Sequence, residues 1–301
     1  LAAEGDGVAG QFIVVLRDNG DPARLARAAG ASPRHVYRNS LRGFSARLTA
    51  EQVEAVRRTA GVAYVERDQV VRGAVTDSLP ASLWGLDRID QRARPLSRTL
   101  TYTHTGAGVN VYVFDSGIQL DHPEFAGPSG SRALLAYDAF GTGGADCNGH
   151  GTHVAGTIGG GQVGLAYGAR LHAVKVLGCD GNGLNSDIIA AIDWLRANKV
   201  RPAVASLALS AGYSKTLNQA VDRLFSAGIL PVVAAGNEAE YACDVSPASA
   251  VRALVVAAVD SLDQRSTFSN WGRCVSLYAP GSDIFSAWIG GQYAVQSGTS
   301  M

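Results

Sequence analysis

Residues 109–117 read VNVYVFDSG, and the fold turns on how those nine positions are taken. An apolar run rich in valine ends on Asp115, and Ser116 and Gly117 then make a turn. Such a run, with no polar residue at every second place, is the mark of a strand covered on both faces. Four more runs share the pattern: AVKVL at 173–177, AVASLAL at 203–209, ILPVVAAG at 229–236 and ALVVAAV at 253–259. Helical stretches lie among them, SDIIAAIDWLRAN at 186–198 and TLNQAVDRLFSAG at 216–228. Strands alternating with helices predict an α/β domain, a parallel sheet flanked by helices.

The chain before residue 73 reads differently. QFIVVLR at 11–17, HVYRNS at 35–40, GFSARLT at 43–49 and AYVERDQVV at 63–71 read as strands. Helices fit DPARLARAAG, ended by Gly30, and TAEQVEAVRR, where Thr49 and Gln52 have the spacing of a capping box. The order β-α-β-β-α-β is that of a small ferredoxin-like α+β domain. This block has more arginines than acids, so the remainder is mildly acidic and the two are fit to dock. The polar stretch GAVTDSLPASL, 73–83, reads as a linker.

The whole chain has 301 residues, with 26 basic and 26 acidic side chains. That balance gives no footprint for nucleic acid or an anionic surface. Lysine is confined to Lys175, Lys199 and Lys215. No apolar run is long enough to span a membrane. The first ten residues lack the regions of a signal peptide, and the only methionine is Met301. The expectation is a chain cut at both ends. Cys147, Cys179, Cys243 and Cys274 have no zinc spacing, and as disulfides in an exported protein they allow three pairings.

In open α/β sheets, chemistry gathers beyond the carboxyl ends of the strands. Asp115 ends one strand. His150 stands between glycines in NGHGTHVAGTIGG, at a helix start, and glycine permits close approach of backbone there. His153, three residues on, fits a packed structural role; a two-histidine metal hydrolase needs the glutamate of HExxH, which is missing. Asn237 ends ILPVVAAGN, and Ser300 sits in SGTSM. Each alone is a turn residue or a helix cap. Together they supply an acid to orient a histidine, a histidine to take a proton, a serine to attack and an amide for an oxyanion. The serine comes last, which excludes the Ser–acid–His order of an α/β-hydrolase.

VYVFDSGI, HPEF, NGHGTHVAGTIGG, VAAGN, SPAS, FSNWG and SGTSM, in this order, resemble the subtilisin-like serine proteases, in particular the proteinase K and aqualysin branch. The resemblance implies a secreted serine endopeptidase made as a zymogen. Asp115, His150 and Ser300 would form the triad and Asn237 would donate to the oxyanion. Gly183, Leu209, Ser210, Ala234 and Gly236 would line the substrate groove, with an apolar preference for the residue before the cut. Residues 1–72, with a tail at 1–10, would be the propeptide, inhibitor and folding aid of the peptidase at 84–301. Its cut would fall between Arg72 and Ala81. The peptidase would be incomplete at its C-terminus, lacking the helix that follows the serine and inactive as it stands.

The resemblance further implies a monomer acting on polypeptides, disulfides Cys147–Cys179 and Cys243–Cys274, and a structural Ca²⁺ held by Asp87, Asp90 and Gln91 in WGLDRIDQR. Two departures stand out. Ser276 occupies the aspartate position of a second calcium site near Val251 and Ala253. Ala208-Leu209-Ser210-Ala211 replaces Ser-Leu-Gly-Gly in the groove, and Ser206 stands where asparagine is common. A catalytically inert binding or inhibitor module on the same fold is the competing function.

Overall fold

The structure, a computed structural model, describes residues 7–17, 20–72, 76–77, 83–102 and 104–301. Helices are α1 (Pro22–Ala28), α2 (Ala50–Arg57), α3 (Trp84–Ile89), α4 (His150–Gly159), α5 (Asn185–Asn198) and α6 (Lys215–Ser226).

In the first unit, strands Val62–Arg72, Gly7–Leu16, Gly43–Arg47 and Pro33–Tyr37 pair antiparallel in that order. The first strand begins at Gly7, inside the stretch expected to be a tail. Asp21 caps α1 through the N–H groups of Ala23 and Arg24, with Pro22 at the first helical position. Thr49 and Gln52 form the expected capping box at α2. The run IVVL lacks polar alternation because both faces are covered. Val14 and Leu16 pack with Val53 and Val56 of α2, whereas Ile13 and Val15 join Tyr37, Leu41 and the apolar faces of α5 and α6 in one core. The first unit therefore completes its core on the second.

Polar groups close this contact. Both carboxylate oxygens of Asp187, in the first turn of α5, are held by Arg34 and His35 at 2.7 Å each. Asp193 takes the backbone N–H groups of Arg38, Asn39 and Ser40. In return the first unit caps both helices, Asp68 accepting from Ser186 N at 2.8 Å and Glu66 from Thr216 N at 3.0 Å. Charge complementarity thus runs in both directions across the contact.

Asp68 is fully buried, and burial pushes its carboxyl up to about 6, against hydrogen bonds from Ser186 that lower it. A carboxyl raised by docking holds a proton that the separated group has lost. Its contribution is therefore greatest below the ordinary carboxylate range and falls as pH rises to about 6. In a Ser300→Ala chain, the melting temperature of a further Asp68→Asn variant is expected to gain on its parent between pH 4.5 and 7. A constant difference across that range would contradict this.

The second unit is a seven-stranded sheet, in the order Leu277–Pro280, Leu254–Val259, Ile229–Ala234, Ala203–Leu207, Asn110–Asp115, Arg170–Lys175, Ala133–Asp138. Every pairing in it is parallel. Asn110–Asp115 is buried at all six positions, as its apolar run predicts. The two edge strands, ALLAYD and LYAP, were passed over: they are short and largely exposed or half-buried, and a short apolar run does not by itself mark a strand. Chain direction across the sheet reverses at Asn110–Asp115, so Asp115 lies at the switch point where such sheets bind ligands. Of the expected linker at 73–83, residues 73–75 and 78–82 lie outside the described residues. Two short pairings flank it. Asn182–Leu184 joins Val62–Arg72 antiparallel, with Gly183 opposite Val71, and Thr76–Asp77 pairs with Gln296 and Ser297.

Candidate active site

Asp115 is fully buried at its strand end, and its Oδ1 accepts the N–H of Ser116 at 2.7 Å. His150, the first residue of α4, places Nδ1 2.7 Å from Asp115 Oδ1 and 2.9 Å from Oδ2. An ionised carboxylate only accepts, so Nδ1 carries the proton and Nε2 is left as the base. The flanking glycines make this approach possible. Gly149 has φ 105°, and a Cβ there would meet the Trp288 ring at 2.5 Å. A Cβ on Gly151 would collide with the Gly117 carbonyl.

Asp146 ties the two halves of this pair together. Its Oδ1 accepts from Ser116 Oγ at 2.9 Å and Gly149 N at 2.9 Å, and its Oδ2 from Thr152 N at 2.9 Å. One carboxylate so holds the turn after Asp115 and the start of α4. The sequence reading missed it: Asp146 lies four residues before α4, outside the N-cap position, and no spacing marks it. His153 has the structural role expected. It is buried, its Nε2 lies 3.0 Å from the Ile284 carbonyl, and burial, then the neighbouring His150, lowers it to about 4.

The Ser300 segment reaches the same edge of the sheet. Asn237 Oδ1 accepts the N–H of Thr299 at 2.8 Å, and Thr299 Oγ1 accepts from Gly236 N at 3.1 Å. The amide end of Asn237 is thereby fixed one residue from Ser300. The Ser300 hydroxyl itself donates to the Ala208 carbonyl at 3.2 Å. The structure therefore brings together Asp115 with His150, and Asn237 with the serine loop, while the serine proton is turned to Ala208, the residue after the strand Ala203–Leu207. That segment forms a turn between Gly298 and Met301.

Of the expected groove residues, Gly183 lies in the strand that pairs with Val71, and a Cβ there would strike the Val176 carbonyl. Ala234 ends its strand, and Gly236, two residues on, donates its N–H to Thr299. Leu209 is fully buried in the core, so only its backbone can face a ligand, and Ser210 is half-buried. Disulfides Cys147–Cys179 and Cys243–Cys274 are both present. Each closes a loop of about thirty residues, worth about 3–4 kcal/mol by chain entropy. The first joins the His150 loop to the turn leading into Asn182–Leu184.

WGLDRI forms α3 rather than an open loop. Asp87 accepts from the N–H groups of Ser97 and Arg98, Gln91 Oε1 from Ser97 N, and Asp90 Oδ2 from Thr101 N at 2.5 Å. Asp90 Oδ1 is buried with no hydrogen-bond partner among the described residues. Among the described residues no three histidine, cysteine or acidic side chains are gathered as a metal site. Ser276 Oγ accepts the N–H of Val255 at 3.0 Å. No described helix is long and apolar enough to cross a membrane.

Known proteins resemble this chain along most of its length. Residues 106–301 match the model of the Subtilase family and residues 11–74 that of Peptidase inhibitor I9. An extracellular serine proteinase of Thermus sp. (strain Rt41A) is 45% identical over 325 residues, covering 98% of this chain and 78% of that protein. Proteinase R of Parengyodontium album is 39% identical over 312 residues, covering 100% and 78%. The crystal structure of a cold adapted subtilisin-like serine proteinase is 46% identical, with a TM-score of 0.70 over 72% of this chain and 79% of that one. A buried acid–histidine pair at the switch point of a parallel sheet, an asparagine tied to a C-terminal serine loop and these matches have one conclusion: the chain belongs to the subtilase family and carries an I9 inhibitor region before its subtilase region.

Proposed function

We propose that the protein is an exported serine endopeptidase made as a zymogen, acting through Asp115, His150 and Ser300 with an acyl-enzyme intermediate. The observation that carries this reading is the Asp115–His150 contact, which leaves His150 Nε2 as a base at the edge where the serine loop sits. The Ser300 hydroxyl turns from the Ala208 carbonyl toward Nε2, and its oxygen bonds to the substrate carbonyl carbon as His150 takes the proton. The developing oxyanion takes hydrogen bonds from the Asn237 amide and the Ser300 N–H. His150 gives the proton to the leaving amine as the C–N bond breaks. Water, activated by the same imidazole, then releases the acyl group. Asp115 keeps the tautomer and stabilises the imidazolium throughout.

Peptide substrates add as a strand against Asn182–Leu184, the place the first unit takes with Val70 to Arg72. The first unit is thus an inhibitor lying in the groove. The apolar lining at Ala234 fits apolar residues before the cut, and the protein acts as a monomer. Export to an oxidising medium follows from the two disulfides and is in line with the extracellular naming of the Thermus relative.

Ca²⁺ is a further part of this reading. Asp87, Asp90 and Gln91, with the hydroxyls of Ser97 and Thr99, are hard oxygen donors of the kind calcium takes, and the buried Asp90 Oδ1 is the atom a cation would satisfy. A bound ion would brace α3 against residues 97–101. Added Ca²⁺ is expected to raise the melting temperature of the protein by a few degrees, and Asp90→Asn to remove most of that rise. An unchanged melting temperature in the parent would contradict it.

Two short pairings support a position for the processing cut within the expected window, Arg72 to Ala81. Val70 to Arg72 pair with Asn182–Leu184, and Thr76–Asp77 with Gln296 and Ser297 just before the serine, which favours a cut between Arg72 and Thr76. Intact mass and N-terminal sequencing test this together with the function. The parent protein is expected to split within that window and Ser300→Ala to stay whole. A parent that stays whole, or a Ser300→Ala chain that splits, would refute the reading.

A further inference from the structure

Lys175 is one of three lysines in the chain, and it is 1% exposed. It ends its strand in register with two acids, Asp115 on one side and Asp138 on the other. Its Nζ donates to the carbonyl of Ser116, and to that of Leu177 at 3.1 Å. It also lies 3.9 Å from Cys147 Sγ and 5.6 Å from the centre of the Phe140 ring. A buried ammonium is costly unless charge and acceptors surround it. Burial pulls the amine below its ordinary value, and the charges of Asp146, Asp138 and Asp115 oppose that fall.

Two of those acids are occupied with loops. Asp138 accepts the N–H groups of Phe140, Thr142 and Gly144, and Asp146 holds Ser116 and the start of α4. The Ser116 residue is therefore gripped at both ends, its hydroxyl by Asp146 and its carbonyl by Lys175. That turn sets where the Asp115 carboxylate points. The titratable groups around the pair are Lys175, Asp138 and Asp146 from the neighbouring strand ends and loop, and His153, which burial keeps neutral, one turn along α4.

We propose that Lys175 is a positioning residue for the Asp115–His150 pair, its ammonium pinning the turn after Asp115 and setting a positive charge beside the pair. The proposal rests on the peptidase reading above. It makes a claim that a merely structural lysine would not: the charge is felt at His150. A positive charge nearby disfavours the imidazolium, so its removal moves the acid limb of activity to higher pH.

The test is the pH profile of kcat/KM for the full protein and for Lys175→Met and Lys175→Gln, each checked for folding by its melting transition. Lys175→Met is expected to lose about ten- to hundredfold in kcat through the loosened turn. Its acid limb should rise by about half to one pH unit. Lys175→Gln keeps a donor for the two carbonyls without the charge, so it should retain more kcat yet show the same rise. If Lys175→Met does not fold, the Gln variant carries the test. A folded variant with the acid limb of the parent overturns the proposal. A parent that neither cleaves peptides nor reacts with a serine-directed phosphonate overturns the peptidase reading itself, whatever the variants do.

Discussion

Asp115→Asn is expected to lower kcat by about 10⁴-fold, with KM largely kept. The reason is the pair of contacts from His150 Nδ1 to the two carboxylate oxygens, at 2.7 and 2.9 Å. Two acceptors there impose a proton on Nδ1. A carboxamide offers an NH₂ in one of those places, which favours the other tautomer and puts the proton on Nε2. The base is then blocked, and no negative charge remains to stabilise the imidazolium. Steady-state kinetics on a folded variant check this; a loss below tenfold would show that the pair is structural.

Asn237→Ala is expected to lower kcat by about 10²–10³-fold. Asn237 Oδ1 is committed to the Thr299 N–H at 2.8 Å, so the carboxamide is fixed and its NH₂ is the end left for an oxyanion. Truncation also frees Thr299, and that effect must be told apart. Asn237→Asp keeps the acceptor for Thr299 and replaces the donor with a charge. If the amide acts on the oxyanion, the Asp variant is at least as slow as the Ala variant. Near-parental turnover in Asn237→Asp would assign the residue to holding the loop instead.

Much of the fold was written in periodicity. The apolar runs ending at Asp115 and Ala234 are strands because both faces are buried, and a run of that kind has few other solutions in water. Capping at Thr49 was legible because it depends on residues three apart. The edge strands Ala133–Asp138 and Leu277–Pro280 were not, since runs as short as ALLAY and LYA fit a strand or a piece of helix equally well. Nor was the shared core of Ile13 and Val15 with α5 and α6, which is a contact between segments far apart in the chain.

The site was legible to a different depth. Asp115, His150, Asn237 and Ser300 stood out through the motifs around them, and their separations said only that distinct strand ends could gather them. Asp146 and Lys175 lie outside those motifs, and Thr299, though inside SGTSM, carries nothing that marks its part. Their parts come from distances between side chains and backbone groups of other elements, at Ser116, Leu177 and Gly236. The α3 segment shows the opposite case, where a loop-like acidic pattern folded as a helix whose acids bind backbone N–H groups ten or so residues on.

The central claim is that an imidazole held by Asp115 makes one serine hydroxyl a nucleophile. A fluorophosphonate tests it directly, because phosphorus is captured only by an activated hydroxyl. After removal of the first unit, labelling is predicted to reach one equivalent per chain, to map to Ser300 and to vanish in His150→Ala. Label on another residue, or none on a folded protein freed of its first unit, would contradict it.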